Sequence, residues 1–284
     1  MLFLQTLWEG IVNGSIYAMI AMGIALVWGV MGILSFSQGE FMMLGMFITF
    51  YANTYLGLDP VVCVPIVGLL MFGFGCIVYR TIIAKALRGP RLSQRLITFA
   101  IGMVLTYGAL MLFGGQYRTV QNLAFTGSID LVGLTISRQK LVPLIIALVM
   151  VAFMYIFLNK TKIGKAIQAT SQDKQSAELV GIDSETTYMV AFGLSSALAG
   201  IAGCAITYYF PVYYTAGAAF LLFGFIAVLL GGVGSTFGAL VGGLGHGHEA
   251  EVVDGLQISG RLRHLHADRD LPAQGTFRKV RRGT

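Results

Sequence analysis

Charged residues are scarce in this sequence: Asp, Glu, Lys and Arg make up 11% of its 284 residues, against about 25% in an ordinary soluble domain. No Lys or Arg precedes Arg80, and no histidine precedes His246. The three cysteines, Cys63, Cys76 and Cys204, each lie in an apolar run and are better interpreted as small hydrophobic residues than as a disulfide framework. These scarcities exclude a disordered chain, a nucleic-acid-binding domain and an average soluble enzyme.

Catalytic signatures are also missing from residues 1–244. This region has no histidine, no cysteine pair at metal-ligand spacing, and neither a GxSxG nor an HExxH motif. Gly231–Thr236 (Gly-Gly-Val-Gly-Ser-Thr) is glycine-rich but lacks the lysine of a phosphate-binding loop. We therefore predict that the chain is not an enzyme and binds neither a cofactor nor a metal. Any ATP and Mg²⁺ that it uses would be bound by another chain.

Long apolar runs dominate what is present. Hydrophobic residues make up 56% of the sequence, and the mean hydropathy is +0.77. A membrane-spanning helix needs about 20 mostly apolar residues. The sequence therefore predicts an all-α, polytopic bundle of about 7–8 spans in contact with membrane lipid. Seven candidate spans are 10–31, 36–56, 60–80, 96–116, 139–158, 187–209 and 216–233.

Basic residues predict the orientation of these spans. One cluster precedes and one follows the pair of candidate spans 96–116 and 139–158, so both clusters lie on one side. Cytoplasmic loops carry an excess of Lys and Arg, so that side is predicted to be cytoplasmic and the N-terminus to lie outside. The first cluster is Arg80, Lys85, Arg88, Arg91 and Arg95, and the second is Lys160, Lys162 and Lys165.

Polar side chains inside the predicted spans are candidates for a substrate pathway. We select Asn13, Ser37, Gln38 and Glu40, because a charge at membrane depth is costly and usually faces the bundle interior or water. The alternative for Ser37 and Glu40 is a capping box at the start of a helix. Because of these polar residues, the second span is predicted to be partly re-entrant or to face protein.

Small residues indicate where helices approach each other closely. Ser196, Gly200 and Cys204 lie on one ridge of a predicted helix, and the later glycines repeat every four residues. The alternative is ordinary packing with no role in transport. The candidate packing glycines are Gly200, Gly231, Gly232, Gly234, Gly238 and Gly242.

The loop 159–186 begins with lysines and continues with a helical pattern that Gly181 is expected to end. A short amphipathic helix here could dock in a groove of a partner protein. The alternative is a helix lying at the lipid interface.

Four stretches together resemble the LivH-type permease subunit of branched-chain amino acid ABC importers. Residues 13–31 are similar to that family's first span, and Phe36-Ser-Gln-Gly-Glu-Phe resembles its Asn-Phe-Ala-His-Gly-Glu-Phe signature. Residues 164–182 are similar to its cytoplasmic loop, and residues 228–243 to its glycine signature. Ser35 and Gln38 replace the usual Asn and His, which leaves the substrate preference open: related importers carry urea or short amides, and more distant ones carry sugars.

The resemblance implies an inner-membrane subunit in a bacterial or archaeal cell. Its expected partners are a second homologous permease, two cytoplasmic ATPase subunits and a periplasmic or lipid-anchored substrate-binding protein. The mechanism would be alternating access. A free-standing channel is the alternative from another functional class. The resemblance assigns ATPase coupling to the loop 159–186, with candidate residues Ala166, Ala169, Asp173, Ala177, Glu178 and Gly181.

The composition changes after residue 244. Residues 1–244 hold 12 basic and 8 acidic residues. The 40 residues from 245 to 284 hold the other 7 of the 19 basic residues and the other 5 of the 13 acidic residues. We therefore divide the chain into a permease domain, 1–244, and an irregular polar tail, 245–284. A frameshift near codon 244 is the first hypothesis for the tail, and Gly275-Thr-Phe-Arg-Lys is compatible with a shifted Gly-Leu-Phe-Gly-Lys ending. The alternatives are a basic extension on anionic lipid and a metal site built from the four histidines.

Overall fold

The structure is a computed structural model that describes residues 2–121, 127–131 and 134–231. Helices occupy most of this part of the chain, which confirms the all-α class. The long helices are α1 (Leu2–Met31), α2 (Gln38–Leu56), α3 (Pro60–Val78), α5 (Arg91–Phe113), α6 (Arg138–Lys160), α9 (Ser184–Ile206) and α10 (Ala216–Gly231).

Shorter elements connect these helices. A π-helical turn, Tyr79–Ile83, extends α3 into α4 (Ala84–Ala86). Two short helices, α7 (Lys162–Gln172) and α8 (Lys174–Leu179), join α6 to α9. Between α5 and α6 lies an antiparallel hairpin, β1 (Ser128–Leu131) and β2 (Leu134–Ser137), with Ser128 opposite Ser137 and Leu131 opposite Leu134.

Each of the seven predicted spans coincides with a helix. By length and composition, five helices of the described region can cross a membrane: Gly10–Met31, Pro60–Ala86, Leu92–Phe113, Arg138–Lys160 and Ser184–Ile206. Helix α10 is apolar but shorter, and α2 carries polar residues at both ends. The total of 7–8 spans and the N-terminus outside stay predictions, and residues 232–284, including the tail, lie outside the described residues.

Burial separates the helices into inner and outer groups. In the most apolar stretches of α1 and α9, 83% of the residues are buried. The corresponding share is 22–28% in three other segments: the continuous segment from α3 to α4, helix α5 and helix α6. Helix α2 packs between α1, α3, α9 and α10 and buries large side chains such as Phe41, Met46 and Phe47. The prediction that the second span faces protein is therefore confirmed, and its polar residues are compatible with this position because lipid does not surround it.

The two ends of the bundle differ in charge. We name the end that carries the C-terminus of α3, the π-helical turn, α4, α7 and α8 the basic end. The opposite end, with the hairpin and residues 207–215, is the hairpin end. Arg88 and Lys174 line one groove at the basic end, so the basic loops before α5 and after α6 lie on the same side of the bundle, as predicted.

Candidate functional site

Close helix contacts at glycines position the centre of the bundle. A side chain on Gly45 of α2 would collide with the backbone of Gly200 in α9, and one on Gly203 would collide with the carbonyl oxygen of Met42. Helices whose backbones approach this closely need glycine at the contact. The packing role predicted for Gly200 is compatible with this geometry. Gly231 is the last residue of α10, and Gly232, Gly234, Gly238 and Gly242 lie outside the described residues.

A polar chain crosses the centre of the bundle. Gln38 Nε2 donates to Ser195 Oγ at 2.7 Å, and Ser195 Oγ donates to the carbonyl oxygen of Gly23 at 2.6 Å. Both side chains are fully buried. These hydrogen bonds join the start of α2 to α9 and α1, and Ser195 is 157 residues from Gln38 in the sequence.

This polar chain lies at about half the depth of the bundle. Ser195 is 11 residues after Ser184, the first residue of α9 (195 − 184), which corresponds to about 17 Å of helix. The hydrocarbon core of a bilayer is about 30 Å thick. Helix α2 therefore begins at mid-depth, after the break formed by residues 32–37.

A second helix begins at the same depth. Gly217, in the first turn of α10, packs so closely on Gly39 that a side chain on either residue would collide with the other residue's backbone. Val212 lies at the hairpin end, where its backbone pairs with Arg118. The residues between Val212 and Gly217 therefore turn back into the bundle before α10 starts. As a result, the first turns of α2 and α10 meet at mid-depth.

Glu40 lies where these two first turns meet. Its side chain is 7% exposed, and a side chain on Gly217 would collide with its Oε2 atom. The Thr106 hydroxyl of α5 interacts with the carboxylate. The partial positive charges of two helix N-termini favour an anion at this position. We name Gln38, Glu40, Ser195 and Gly217 the mid-depth junction.

Two acceptor atoms of the junction have no hydrogen-bond donor in the described part of the chain: Gln38 Oε1 and Glu40 Oε2. Buried polar atoms are normally paired, and an unpaired one costs about 1–3 kcal/mol. The side chains of residues 38 and 40 point to different neighbours, Ser195 and Gly217 respectively. The arrangement offers acceptors for N–H donors at mid-depth.

Ser37 and Asn13 occupy other environments. Ser37 is the residue before α2, but its side chain makes no cap hydrogen bond and its Oγ lies 3.2 Å from Ser35 Oγ. Ser37 therefore occupies the N-cap position that the alternative predicted, but the capping-box hydrogen bond is absent because the hydroxyl pairs with a neighbouring serine. Asn13 Oδ1 accepts from the Tyr209 hydroxyl at 2.9 Å, ten residues or about 15 Å along α1 from Gly23. Thus Gln38 and Glu40 share the first turn of α2 at mid-depth, with different neighbours, whereas Asn13 lies apart from both.

Sequence reasoning missed Ser195, Gly217 and Thr106 as members of this site. Ser195 is one of a pair of serines in an apolar helix, which was an available signal. Gly217 lies at the beginning of an apolar run without any distinguishing pattern. Among the described residues there is no group of three or more potential metal ligands, and the four histidines of the proposed tail site lie outside them.

The loop 159–186 forms two helices where one continuous short helix was expected. Asp173 ends α7 and caps α8, since its side chain accepts from the backbone N–H of Gln175 at 2.9 Å. The Ser176 hydroxyl donates to the same carboxylate and lowers the pKa of Asp173 below its ordinary value. Gly181 has φ +87°, which confirms that it ends the second helix.

The residues predicted for coupling divide by burial. Ala177 is buried, Ala166 and Ala169 are half-buried, and Asp173, Glu178 and Gly181 are exposed. Ile167 is buried with Met22, Leu158 and Leu198, so α7 packs on α1, α6 and α9. Leu179 and Val180, which the sequence-based prediction did not select, are 88% and 77% exposed.

A groove of about 570 Å³ lies beside this loop at the basic end. Tyr79, Leu87 and Arg88 line one side, and α8 with the start of α9 lines the other. Asp183 caps α9 by accepting from the backbone N–H of Glu185 at 3.0 Å. The Thr186 hydroxyl also donates to that carboxylate and lowers the pKa of Asp183.

A bundle of apolar helices with small-residue contacts, in which two helices begin at mid-depth, is typical of membrane transport proteins. The chain belongs to the family described as "Branched-chain amino acid transport system / permease component", which it matches over residues 6–257. No solved structure matches it.

Curated relatives carry the same description. The chain is 31% identical to the high-affinity branched-chain amino acid transport system permease protein BraD of Pseudomonas aeruginosa, over 85% of this chain and 83% of BraD. It is equally similar to the Escherichia coli K12 permease LivH, with the same two shares covered. A probable LivH permease of Methanocaldococcus jannaschii is 24% identical over 82% of this chain and 75% of that protein. These relatives are permeases rather than enzymes.

Proposed function

We propose that the chain is the membrane permease subunit of an ABC importer for branched-chain amino acids in the inner membrane. The observation that carries this proposal is family membership over residues 6–257, and the mid-depth junction supports it. A hydrophobic amino acid presents an ammonium group that needs acceptors inside the membrane. Among the described residues, no group donates a hydrogen bond to Gln38 Oε1 or Glu40 Oε2, which lie at that depth.

The ATPases would act at the basic end. With this end in the cytoplasm, as the positive-inside rule favours, α7, α8 and the groove face the expected partners. Leu179 and Val180 supply the exposed apolar contact, since large side chains this exposed favour a protein interface. Ile167 packs α7 on three spanning helices, so displacement of this loop would move α1, α6 and α9 together.

ATP-driven leucine uptake tests the proposal. Membranes that contain this chain, a homologous permease, two ATPases and a binding protein should take up leucine only with ATP and all subunits. Uptake by this chain alone, or without ATP, would instead support a free-standing channel. Fructose or urea uptake without leucine uptake would contradict the proposed substrate.

Leu179→Glu tests the coupling surface within the same assay. Because Leu179 is exposed, we expect the variant chain to fold normally but to retain the ATPase subunits poorly, with uptake falling at least about tenfold, which corresponds to about 1.4 kcal/mol. Gln172→Glu adds the same charge at the exposed end of α7 and is the matched control. Equal ATPase retention by both variants would exclude Leu179 from the interface.

A further inference from the structure

A separate cavity lies at the hairpin end of the bundle. It has a volume of about 460 Å³, and its lining includes Phe50 and Thr54 of α2 with Tyr117, Arg118 and Gln121 of the segment after α5. Small-molecule sites typically have volumes of roughly 300–1,000 Å³. The cavity is remote from the mid-depth junction, because Thr54 is 14 residues, or about 21 Å of helix, beyond Glu40 (54 − 40).

Arg118 is held rigidly at this cavity. Its Nη1 donates to the Tyr51 hydroxyl at 2.6 Å, and its Nη2 donates to the carbonyl oxygen of Phe113. The guanidinium carbon lies 5.4 Å from the centre of the Phe50 ring and 5.5 Å from that of Tyr51. The backbone of Arg118 exchanges two hydrogen bonds with Val212, at 3.0 and 2.7 Å. A guanidinium fixed in this way loses little conformational entropy when it binds a ligand.

The charge of Arg118 is not neutralised by a carboxylate within the part of the chain that the structure describes. A guanidinium has five N–H donors, and the two acceptors named above leave several for a ligand. The side chain is half-buried, so an anion that reaches it is partly shielded from water. An arginine in this state pairs best with a planar carboxylate, which it can hold through two parallel hydrogen bonds.

The walls of the cavity fit the remainder of a branched-chain amino acid. Phe50 and Tyr117 present aromatic surface to an aliphatic side chain, and the other lining residues besides Arg118 are polar: Asn53, Thr54, Thr119 and Gln121. We propose that this cavity is an entry site in which Arg118 binds the α-carboxylate of a free branched-chain amino acid before it moves to the mid-depth junction. The proposal rests on the proposed function and on the hairpin end facing outward.

Cysteine protection tests this site. Thr54→Cys places a thiol in the cavity at an exposed position, and a membrane-impermeant maleimide is applied to intact cells that contain the assembled transporter but lack the binding protein. We expect outside labelling that saturating leucine slows at least about tenfold. Leucinamide, which lacks the carboxylate, should give no protection. Adding Arg118→Gln should weaken leucine protection about 10- to 100-fold, because a charge-assisted pair is lost.

Leu56→Cys, which is exposed on the same helix but outside the cavity lining, is the matched control. It should be labelled from outside, with no protection by leucine. Arg118→Lys separates charge from geometry, since lysine retains the charge but cannot form the bidentate pair, and it should restore only part of the protection.

Each other outcome overturns the proposal in a recognisable way. Absence of outside labelling at both cysteines would refute the orientation. Outside labelling of the Thr54→Cys variant without leucine protection would refute the entry site, while leucine uptake by the complete transporter would still support the proposed function. Equal protection by leucine and leucinamide would exclude carboxylate recognition. Protection only when substrate-free binding protein is added would assign the cavity to protein docking instead.

Discussion

Helix α9 and helix α5 are both 23 residues long, but they are stabilised in different surroundings. Helix α9 is buried along most of its length and contacts α1, α2 and α3 through small residues. Helix α5 exposes large side chains such as Val104 and Met111, which suit contact with lipid. Hydrophobicity alone cannot distinguish them, because lipid and the protein interior are similarly apolar. Glycine and serine contacts therefore identify the inner helices.

The largest expected effect comes from a side chain that blocks the close approach of α2 and α9. In Gly45→Val the new side chain meets the backbone of Gly200, which cannot move away without separating the helices. We expect a loss of stability of about 3 kcal/mol or more, at the upper end of overpacking costs. The yield of folded chain in detergent, measured by size-exclusion chromatography, should fall sharply.

Gly108→Val in α5 is the control for that comparison. A side chain at this glycine meets no atom within 4 Å, while the change in helix propensity is the same. The folded yield should stay close to that of the unmodified chain. Equal losses in both variants would mean that helix propensity, rather than the inner contact, determines the outcome.

A smaller effect is expected from breaking the central polar chain. Ser195→Ala removes the acceptor of Gln38 Nε2 and the donor to the Gly23 carbonyl, and it leaves a buried amide unpaired. The cost should be about 1–3 kcal/mol, measured as a lower midpoint of thermal unfolding in detergent. Ser171→Ala at an exposed position of α7 should change the midpoint little. An unchanged midpoint for Ser195→Ala would show that the hydrogen bonds of the central polar chain contribute no stability.

Much of the fold could be predicted from the sequence. Apolar runs of spanning length locate the seven long helices of the described residues, and the predicted basic clusters place α4 and α7 at one end. At Gly181, φ +87° confirms a predicted helix end. These features depend on local composition or backbone conformation. The ridge that contains Gly200 was likewise visible, since residues four apart share a helix face.

The partners of the candidate site could not be predicted. Gln38 contacts Ser195 across 157 residues of sequence, and Glu40 contacts Gly217 across 177 (217 − 40). Neither pair follows from periodicity, because helix order in space is set by packing of the whole bundle. Ser37 was correctly placed at the start of α2, but its capping hydrogen bond was not formed, because the hydroxyl pairs with Ser35 instead.

Leucine uptake by Glu40→Gln is the most direct test of the claim that the mid-depth junction lies on the substrate pathway. Glutamine has nearly the same shape, so the contact with Gly217 is preserved, but it replaces a carboxyl oxygen that would accept from an ammonium group with an amide N–H group that cannot. We predict that ATP-driven uptake per assembled transporter falls at least about tenfold, equivalent to about 1.4 kcal/mol, with the amount of complex unchanged. Uptake equal to that of the unmodified transporter would contradict the claim.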